Sequence, residues 1–162
     1  IFPPILLAIP YSVVMGKLEL INTRIGLVIV YLSFSVPYAV WLLTGFFRTV
    51  PLEIEEAARI DGANKMQTFV RVVLPLVAPG VVATAIYTFI NTWNEFLYAL
   101  ILMNNTSKMT VAVALRSLDG AEILDWGDMM AASALVVLPS VIFFCLIQNK
   151  IAGGMSDGAV KS

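Results

Sequence analysis

The chain has 162 residues, of which 59% are hydrophobic and only 13% are charged, and its formal net charge at pH 7 is −1. A soluble domain typically carries about 25% charged residues, so this composition predicts a membrane protein. The small net charge, without a polybasic run, argues against a nucleic-acid partner. There is no histidine and one cysteine, Cys145. Those two facts exclude a Cys/His zinc site, a Cys/His nucleophile pair and an internal disulfide.

Apolar runs in the sequence predict an all-α, polytopic transmembrane helix bundle with about four spans. A spanning helix needs about 20 mostly apolar residues, and residues 1–16 are apolar but shorter than that. Because the chain also starts without Met, we expect the start of this span, and further N-terminal sequence, to be missing. Three longer runs, at 25–47, 74–103 and 128–150, predict complete spans.

Prolines and polar intervals divide these spans. We expect Pro37 to kink the span at 25–47, and Pro75 and Pro79-Gly80 to break the next one near its start. The polar intervals lie at 48–73 and 104–127, and a Gly-rich tail occupies 151–162.

The distribution of Lys and Arg between the polar intervals predicts the orientation. The side that holds 48–73 and the tail carries six of these residues, and the opposite side carries four. Since positive charge concentrates in cytoplasmic loops, we expect 48–73 and the tail to be cytoplasmic and 104–127 to be extracytoplasmic.

The interval 48–73 contains a predicted short helix. Pro51 suits the first turn of a helix, Glu53 and the acids after it favour the N-terminal dipole, and Gly62 is a natural C-terminal stop. The face formed by Ile54, Ala57, Ala58 and Asp61 is small and ends in an acid. Two interpretations stay open, a capped helix on the membrane surface or a docking surface. The weak content of Lys, Arg and large apolar residues favours docking.

The spacing of this interval resembles a known motif. Glu56-Ala57-Ala58, three residues, Gly62, nine residues and then Val72-Val73-Leu74-Pro75 resemble the EAA loop of permease subunits of binding-protein-dependent ABC importers, with Val72 where the family has Ile. The resemblance implies the MetI-like permease fold and a coupling helix that docks into a groove of the ATPase subunit. The docking residues that it implies are Glu56, Ala57, Ala58 and Gly62, with Asp61, Ala63 and Asn64 beside them.

Three further segments narrow the resemblance to sugar importers. Asp61-Gly62-Ala63, Trp93-Asn94-Glu95-Phe96 and Gly158-Ala159-Val160-Lys161 resemble MalG-like permeases of the maltose/glycerol-3-phosphate type. The resemblance implies a sugar substrate, a dimer of ATPase subunits, a second permease subunit and an extracytoplasmic solute-binding protein. The chain contains no G-x-x-x-x-G-K-[ST] motif, so a partner would bind ATP. We expect the chain itself to be no enzyme and to hold no cofactor or metal.

Four side chains interrupt the run 74–103. Asn91, Trp93, Asn94 and Glu95 are polar or amphipathic at membrane depth, where such groups normally face the bundle interior or a water-filled cavity. One interpretation is the lining of the translocation path, and the other is a polar network that joins helices. Trp41 and Trp126, near span ends, are interpreted as residues of the interfacial aromatic belt.

Other classes of protein are less compatible with the sequence. An ion-coupled secondary transporter usually has several ionisable residues inside its spans, and here Glu95 is the clear example. A membrane enzyme would need a nucleophile or metal constellation that the residue types do not provide. An importer of the same architecture for a non-sugar solute also stays open.

Overall fold

The computed structural model describes residues 3–118 and 126–156, with side chains described for 3–117 and 126–147. Within these ranges the regular structure is helical and there is no strand. The elements in chain order are α1 (Pro4–Lys17), α2 (Arg24–Phe47), α3 (Leu52–Ile60), α4 (Lys65–Thr68), a π-helical turn (Phe69–Val73), α5 (Leu74–Trp93), α6 (Leu97–Leu102), a 3₁₀ turn (Thr106–Lys108), α7 (Val111–Leu118) and α8 (Trp126–Ser156).

The predicted all-α membrane fold is confirmed. Three helical segments among the described residues are long and apolar enough to cross a membrane, namely Arg24–Phe47, Lys65–Trp93 and Trp126–Ile147. Helix α1 is apolar but has only 14 residues, as the shortened first run predicts. Helix α2 continues through Pro37.

The expected break at Pro75 and Pro79-Gly80 is wrong, because α4, the π-helical turn and α5 follow one another without interruption. Proline lacks an N–H donor, and in a regular helix its ring meets the carbonyl four residues earlier, which here is that of Arg71. The π-helical turn ends just before Pro75 and widens the helix, because its backbone hydrogen bonds span five residues instead of four. The Leu74 N–H, for example, donates to the Phe69 carbonyl. We assign the continuity of the helix to this widening.

The ends of the predicted spans also differ from the structure. Residues 74–103 do not form one helix, because α5 ends at Trp93 and α6 begins at Leu97. Helix α8 runs past residue 150 to Ser156, so the first half of the predicted tail is helical. Residues 119–125 and 157–162, which belong to the predicted loop and tail, lie outside the described residues.

The chain divides into two compact units, of which the first comprises Ile1–Val36 and Ile90–Val141. Its core is built on α1, α2, α6 and α7. The buried side chains are those of Ala8, Met15, Leu27, Val30, Tyr98, Ala99, Leu102, Met103 and Val113. The Tyr98 ring stacks on Phe34 with centroids 5.8 Å apart and meets the Tyr11 ring edge-on at 5.4 Å, so one tyrosine joins three helices.

A hydrogen-bonded loop closes one end of the first unit. Asn22 lies between α1 and α2 at a positive φ of 59°, a conformation that asparagine tolerates. Its N–H donates to the Leu102 carbonyl at 2.8 Å, and its side-chain oxygen accepts from the Asn105 N–H at 3.1 Å. The Lys108 ammonium donates to its carbonyl at 3.0 Å. The loop before α2 is thereby bound to the segment after α6.

The second unit comprises Pro37–Phe89 and Ile142–Ser162, and close packing joins α2 to α5 within it. The ring of Phe46 lies directly over the backbone of Gly80, where a Cβ atom would collide with it. The Phe47 ring stacks on Phe69 of the π-helical turn, with centroids 6.1 Å apart. The C-terminal end of α2 is thus packed against the π-helical turn.

Candidate functional site

The charged interval forms a helix and a tight turn. Helix α3 begins after Pro51, which occupies the N-cap position, so the proline lies one residue outside the helix. Glu53 and Glu55 are in its first turn and Arg59 is in its last. Acidic side chains near the N-terminus and a basic one near the C-terminus are the arrangement that the helix dipole favours. Arg59 and Glu55 approach to 3.6 Å on the exposed surface, where an ion pair stabilises little.

The turn after α3 is a Schellman motif. The Gly62 N–H donates to the Arg59 carbonyl, and the Ala63 N–H donates to the Ala58 carbonyl, both at 3.0 Å. These are the two bonds that define the motif. Gly62 has a φ of +84°, which glycine adopts without steric penalty. The sequence prediction of a stop at Gly62 is therefore confirmed together with its physical reason.

A capping box restarts the chain as α4. The Asn64 side-chain oxygen accepts from the Gln67 N–H at 2.9 Å, and the Gln67 side-chain oxygen accepts from the Asn64 N–H at 2.9 Å. Helix α3 packs against α4 and the π-helical turn. Hydrogen bonds therefore close the turn on both sides, through the Schellman motif at the end of α3 and the reciprocal capping box at the start of α4.

A second feature lies where α5 ends, in the first unit. The Glu95 carboxylate accepts three hydrogen bonds, from the Tyr98 N–H at 2.8 Å, the Ala99 N–H at 3.1 Å and the Tyr31 hydroxyl at 2.8 Å. Two of these donors belong to the first turn of α6, whose N–H groups have no partner within the helix. Glu95 thus caps α6 and ties it to α2.

Comparison with known proteins identifies the chain. The family model of the binding-protein-dependent transport system inner membrane component matches residues 1–156. The chain is 45% identical over 161 residues to the putative ABC transporter permease protein ORF1 of Streptomyces antibioticus, covering 99% of this chain and 70% of that protein. The chain belongs to this family of transport permeases.

Other relatives are named for sugars. The permease is 36% identical over 162 residues to the trehalose transport system permease protein SugB of Mycobacterium tuberculosis, covering 99% of this chain and 59% of SugB. It is 36% identical over 146 residues to the trehalose/maltose transport system permease protein MalG of Thermococcus litoralis, covering 90% of this chain and 52% of MalG. The permease thus spans little more than half the length of these two relatives.

The residues of the permease that are predicted to dock on the ATPase subunit differ in their exposure. Glu56, Ala57, Asp61 and Gly62 are exposed, and around Gly62 a Cβ atom would meet nothing within 4 Å. Ala58 and Ala63 are half-buried and supply backbone groups to the Schellman motif. Asn64 is exposed, but its side chain is engaged in the capping box. The predicted set therefore divides into an exposed group and a group that shapes the turn.

Exposed apolar side chains are the feature that sequence reasoning missed in this region. Ile60 is 86% exposed, and Leu52 and Met66 are each 69% exposed. Ile60 is one helical turn from Ala57 and Glu56, so it shares their face. Large apolar residues at both ends of α3, Leu52 and Ile60, were the available signal, and the sequence prediction treated this helix as poor in such residues.

The four predicted path residues of the permease have different surroundings among the described residues. Glu95 is half-buried and engaged with α6, and the Asn94 amide donates back to the Ile90 carbonyl at 2.8 Å. Trp93 borders an apolar groove of about 490 Å³ between α7 and α8, and Asn91 is exposed. Tyr31, the partner of Glu95, was not predicted, because no local pattern links residues 64 positions apart. Among the residues whose side chains are described, no group of three His, Cys, Asp or Glu could hold a metal ion.

Proposed function

We propose that this permease is the transmembrane subunit of an ATP-driven, binding-protein-dependent sugar importer and that α3 is its coupling helix. The observation that carries the coupling role is the geometry of 52–74. An exposed helix ends in a hydrogen-bonded turn, and the chain then continues as one helix through α4 and the π-helical turn into a membrane span. A displacement of α3 would thus reach α5 through the hydrogen-bonded turn and the uninterrupted helix that follows it.

The chemistry of the exposed face supports docking to a protein. Glu56, Ala57, Ile60 and Gly62 combine one acid, one large apolar side chain and two small residues. A solvated helix would gain nothing from Ile60 at 86% exposure, whereas insertion of an apolar anchor into a pocket is a common source of binding energy. The proposed partner is the ATPase subunit, which would bind ATP, and the 162 residues of this sequence contain no G-x-x-x-x-G-K-[ST] motif.

The remaining partners follow from the family. The family description names a binding-protein-dependent system, which supports a solute-binding protein on the extracytoplasmic side and a second permease subunit completing the path. The names of SugB and MalG support a sugar as the solute. The Lys/Arg bias supports a cytoplasmic position for α3 and the C-terminus. ATP binding to a dimer of ATPase subunits would move α3, and the spans would then switch the cavity between the two sides.

Site-specific cross-linking of the full-length permease tests the docking. Cys145 is exposed and would first be replaced by serine, after which Ala57→Cys carries a photoactivatable cross-linker. We expect cross-links to the ATPase subunit. The matched control is Glu19→Cys, on the loop between α1 and α2 that is predicted to lie on the other side of the membrane. A cross-link pattern that is the same for both positions would contradict the proposal.

Energy coupling is tested by uptake in cells. We expect ATP depletion to abolish sugar uptake and an uncoupler to leave it intact when ATP is held constant. The opposite pattern would indicate an ion-coupled transporter. The engagement of Glu95 argues against that alternative, because both of its carboxylate oxygens already accept hydrogen bonds from Tyr31, Tyr98 and Ala99.

A further inference from the structure

Three aromatic side chains form an exposed cluster on α2 and α5 of the second unit. The rings of Tyr38 and Tyr87 stack with centroids 4.1 Å apart and an interplanar angle of 20°. The Trp41 ring lies 6.0 Å from Tyr38 at 46°. Trp41 is 71% exposed and Tyr87 is 42% exposed. Tyr38, which contacts both of the other rings, is half-buried.

The positions of Tyr38 and Tyr87 along the helices separate these two rings from an interfacial belt, whereas Trp41 lies nearer the end of α2. Tyr38 lies nine residues before the end of α2 at Phe47, which is about 13 Å along a helix. Tyr87 lies thirteen residues after the start of α5 at Leu74, which is about 20 Å. Belt residues lie at the headgroup level, whereas polar groups deeper in a span face the bundle interior or a water-filled cavity.

Exposed residues of α8 in the same unit differ from the aromatic cluster in their chemistry. Ile142, Phe144 and Leu146 are 57%, 51% and 71% exposed, and none carries a polar atom in its side chain. That composition suits contact with lipid tails. The cluster differs in composition, because its two phenols and its indole are amphipathic side chains.

A cavity adjoins the cluster at Trp41. It has a volume of about 330 Å³ and is lined by Trp41, Leu42, Thr44, Gly45 and Arg48. Small-molecule sites start at about 300 Å³. At Gly45 a Cβ atom would meet nothing within 4 Å, so the absence of a side chain leaves this space open.

We propose that Tyr38, Trp41 and Tyr87, with the adjoining cavity, form a stacking site for a ring of the transported sugar. The proposal rests on the proposed function and names where this subunit touches the solute. A pyranose ring has an apolar C–H face that packs on an aromatic ring, and Arg48, which lines the cavity with Trp41, would donate hydrogen bonds to its hydroxyls. Sites of this kind combine aromatic walls with a few orienting polar groups.

Photo-cross-linking in the reconstituted complex tests the site. The full-length permease is assembled with its second permease, ATPase and binding protein in proteoliposomes. Diazirine derivatives of maltose, trehalose and diacetylchitobiose are the probes. We expect the derivative of the transported sugar to label the α2 peptide around Trp41, and excess unlabelled sugar to suppress this labelling.

Matched variants give the second readout. Gly45→Leu fills the cavity and Trp41→Ala removes the exposed ring, and we expect each to lower the sugar transported per ATP at least fivefold with assembly retained. Val40→Ala changes an exposed apolar neighbour on the same helix and is expected to have no effect. Labelling confined to other segments, an unchanged transport ratio in both variants, or loss of the second permease from the variant complexes would overturn the proposal. If the unmodified complex hydrolyses ATP but transports none of the three sugars, the sugar assignment itself fails, which is a distinct outcome.

Discussion

The Tyr31 hydroxyl donates a hydrogen bond of 2.8 Å to the Glu95 carboxylate, which also accepts from the first turn of α6. Glu95 is therefore bound on both oxygens, and its partners lie on two different helices. This geometry favours the polar-network interpretation of Glu95 over direct contact with a moving solute.

Removing the carboxylate should destabilise the junction of α5 and α6. We expect Glu95→Ala to lower the free energy of unfolding by about 1–2 kcal/mol, because two backbone N–H groups lose their cap. Thermal unfolding of the purified complex measures it. Tyr31→Phe, which removes one donor and leaves the cap, is the milder comparison. If Glu95→Ala left the stability unchanged and abolished uptake, the translocation-path interpretation would be correct instead.

Two substitutions at Gly62 distinguish whether glycine is required for the backbone conformation of the turn or for close docking. Gly62→Ala adds only a methyl group but disfavours the positive φ of 84°, whereas Gly62→Asp adds a larger, charged group that tolerates this conformation better. If close docking is what requires glycine, Gly62→Asp should reduce ATPase co-purification and uptake more than Gly62→Ala does. The reverse order would show that the backbone of the turn is the requirement.

The capping box predicts that Asn64 acts through α4 rather than through a partner. We expect Asn64→Ala to destabilise the permease by about 1 kcal/mol, as measured by thermal unfolding. Asn64→Ser keeps a capping oxygen and should retain both stability and coupling. An Asn64→Ser variant that was stable but uncoupled from the ATPase would indicate direct docking by the amide.

Ile60 provides the test of an apolar docking anchor. Because its side chain is 86% exposed, Ile60→Ser should change the stability of the permease by less than about 0.5 kcal/mol. We expect it nevertheless to reduce recovery of the ATPase subunit on affinity-purified permease. Leu52→Ser, at the other end of α3, is the matched control. Equal losses for both would point to general solubility rather than to a specific anchor.

The contact of Phe46 with Gly80 should not tolerate a larger side chain at position 80. Any Cβ at position 80 collides with the Phe46 ring, so Gly80→Leu should destabilise the packing of α2 on α5 by about 1–3 kcal/mol. The double variant Gly80→Leu/Phe46→Ala should recover part of this loss, which a double-mutant cycle by thermal unfolding would show. Independent, additive effects would contradict the contact.

Local chemistry made much of the fold predictable. The helix at 52–60 and its stop at Gly62 followed from proline, acids and glycine at their preferred positions, and the spans followed from long apolar runs. The uninterrupted helix through Pro75 was not predictable, because proline alone indicates a break and the widened turn depends on its surroundings. The hydrogen bond between Tyr31 and Glu95 and the exposure of Ile60 could not be predicted either, because both depend on which elements become neighbours in the fold.

The π-helical turn at Phe69–Val73 has a consequence for the register of the permease. Each residue of an α-helix rotates the chain by about 100°, and a π turn accommodates one extra residue locally. Deleting one residue within this turn would convert it to α-helix and leave the rest of α5 in nearly its present phase relative to α3. The same deletion in regular α-helix between the turn and Gly80 would rotate the residues beyond it by about 100°. Gly80 would then leave Phe46 and Tyr87 would leave Tyr38, although no residue of either pair had been altered. The π-helical turn is thus the place in this long helix where a change of length by one residue preserves the packing of α5.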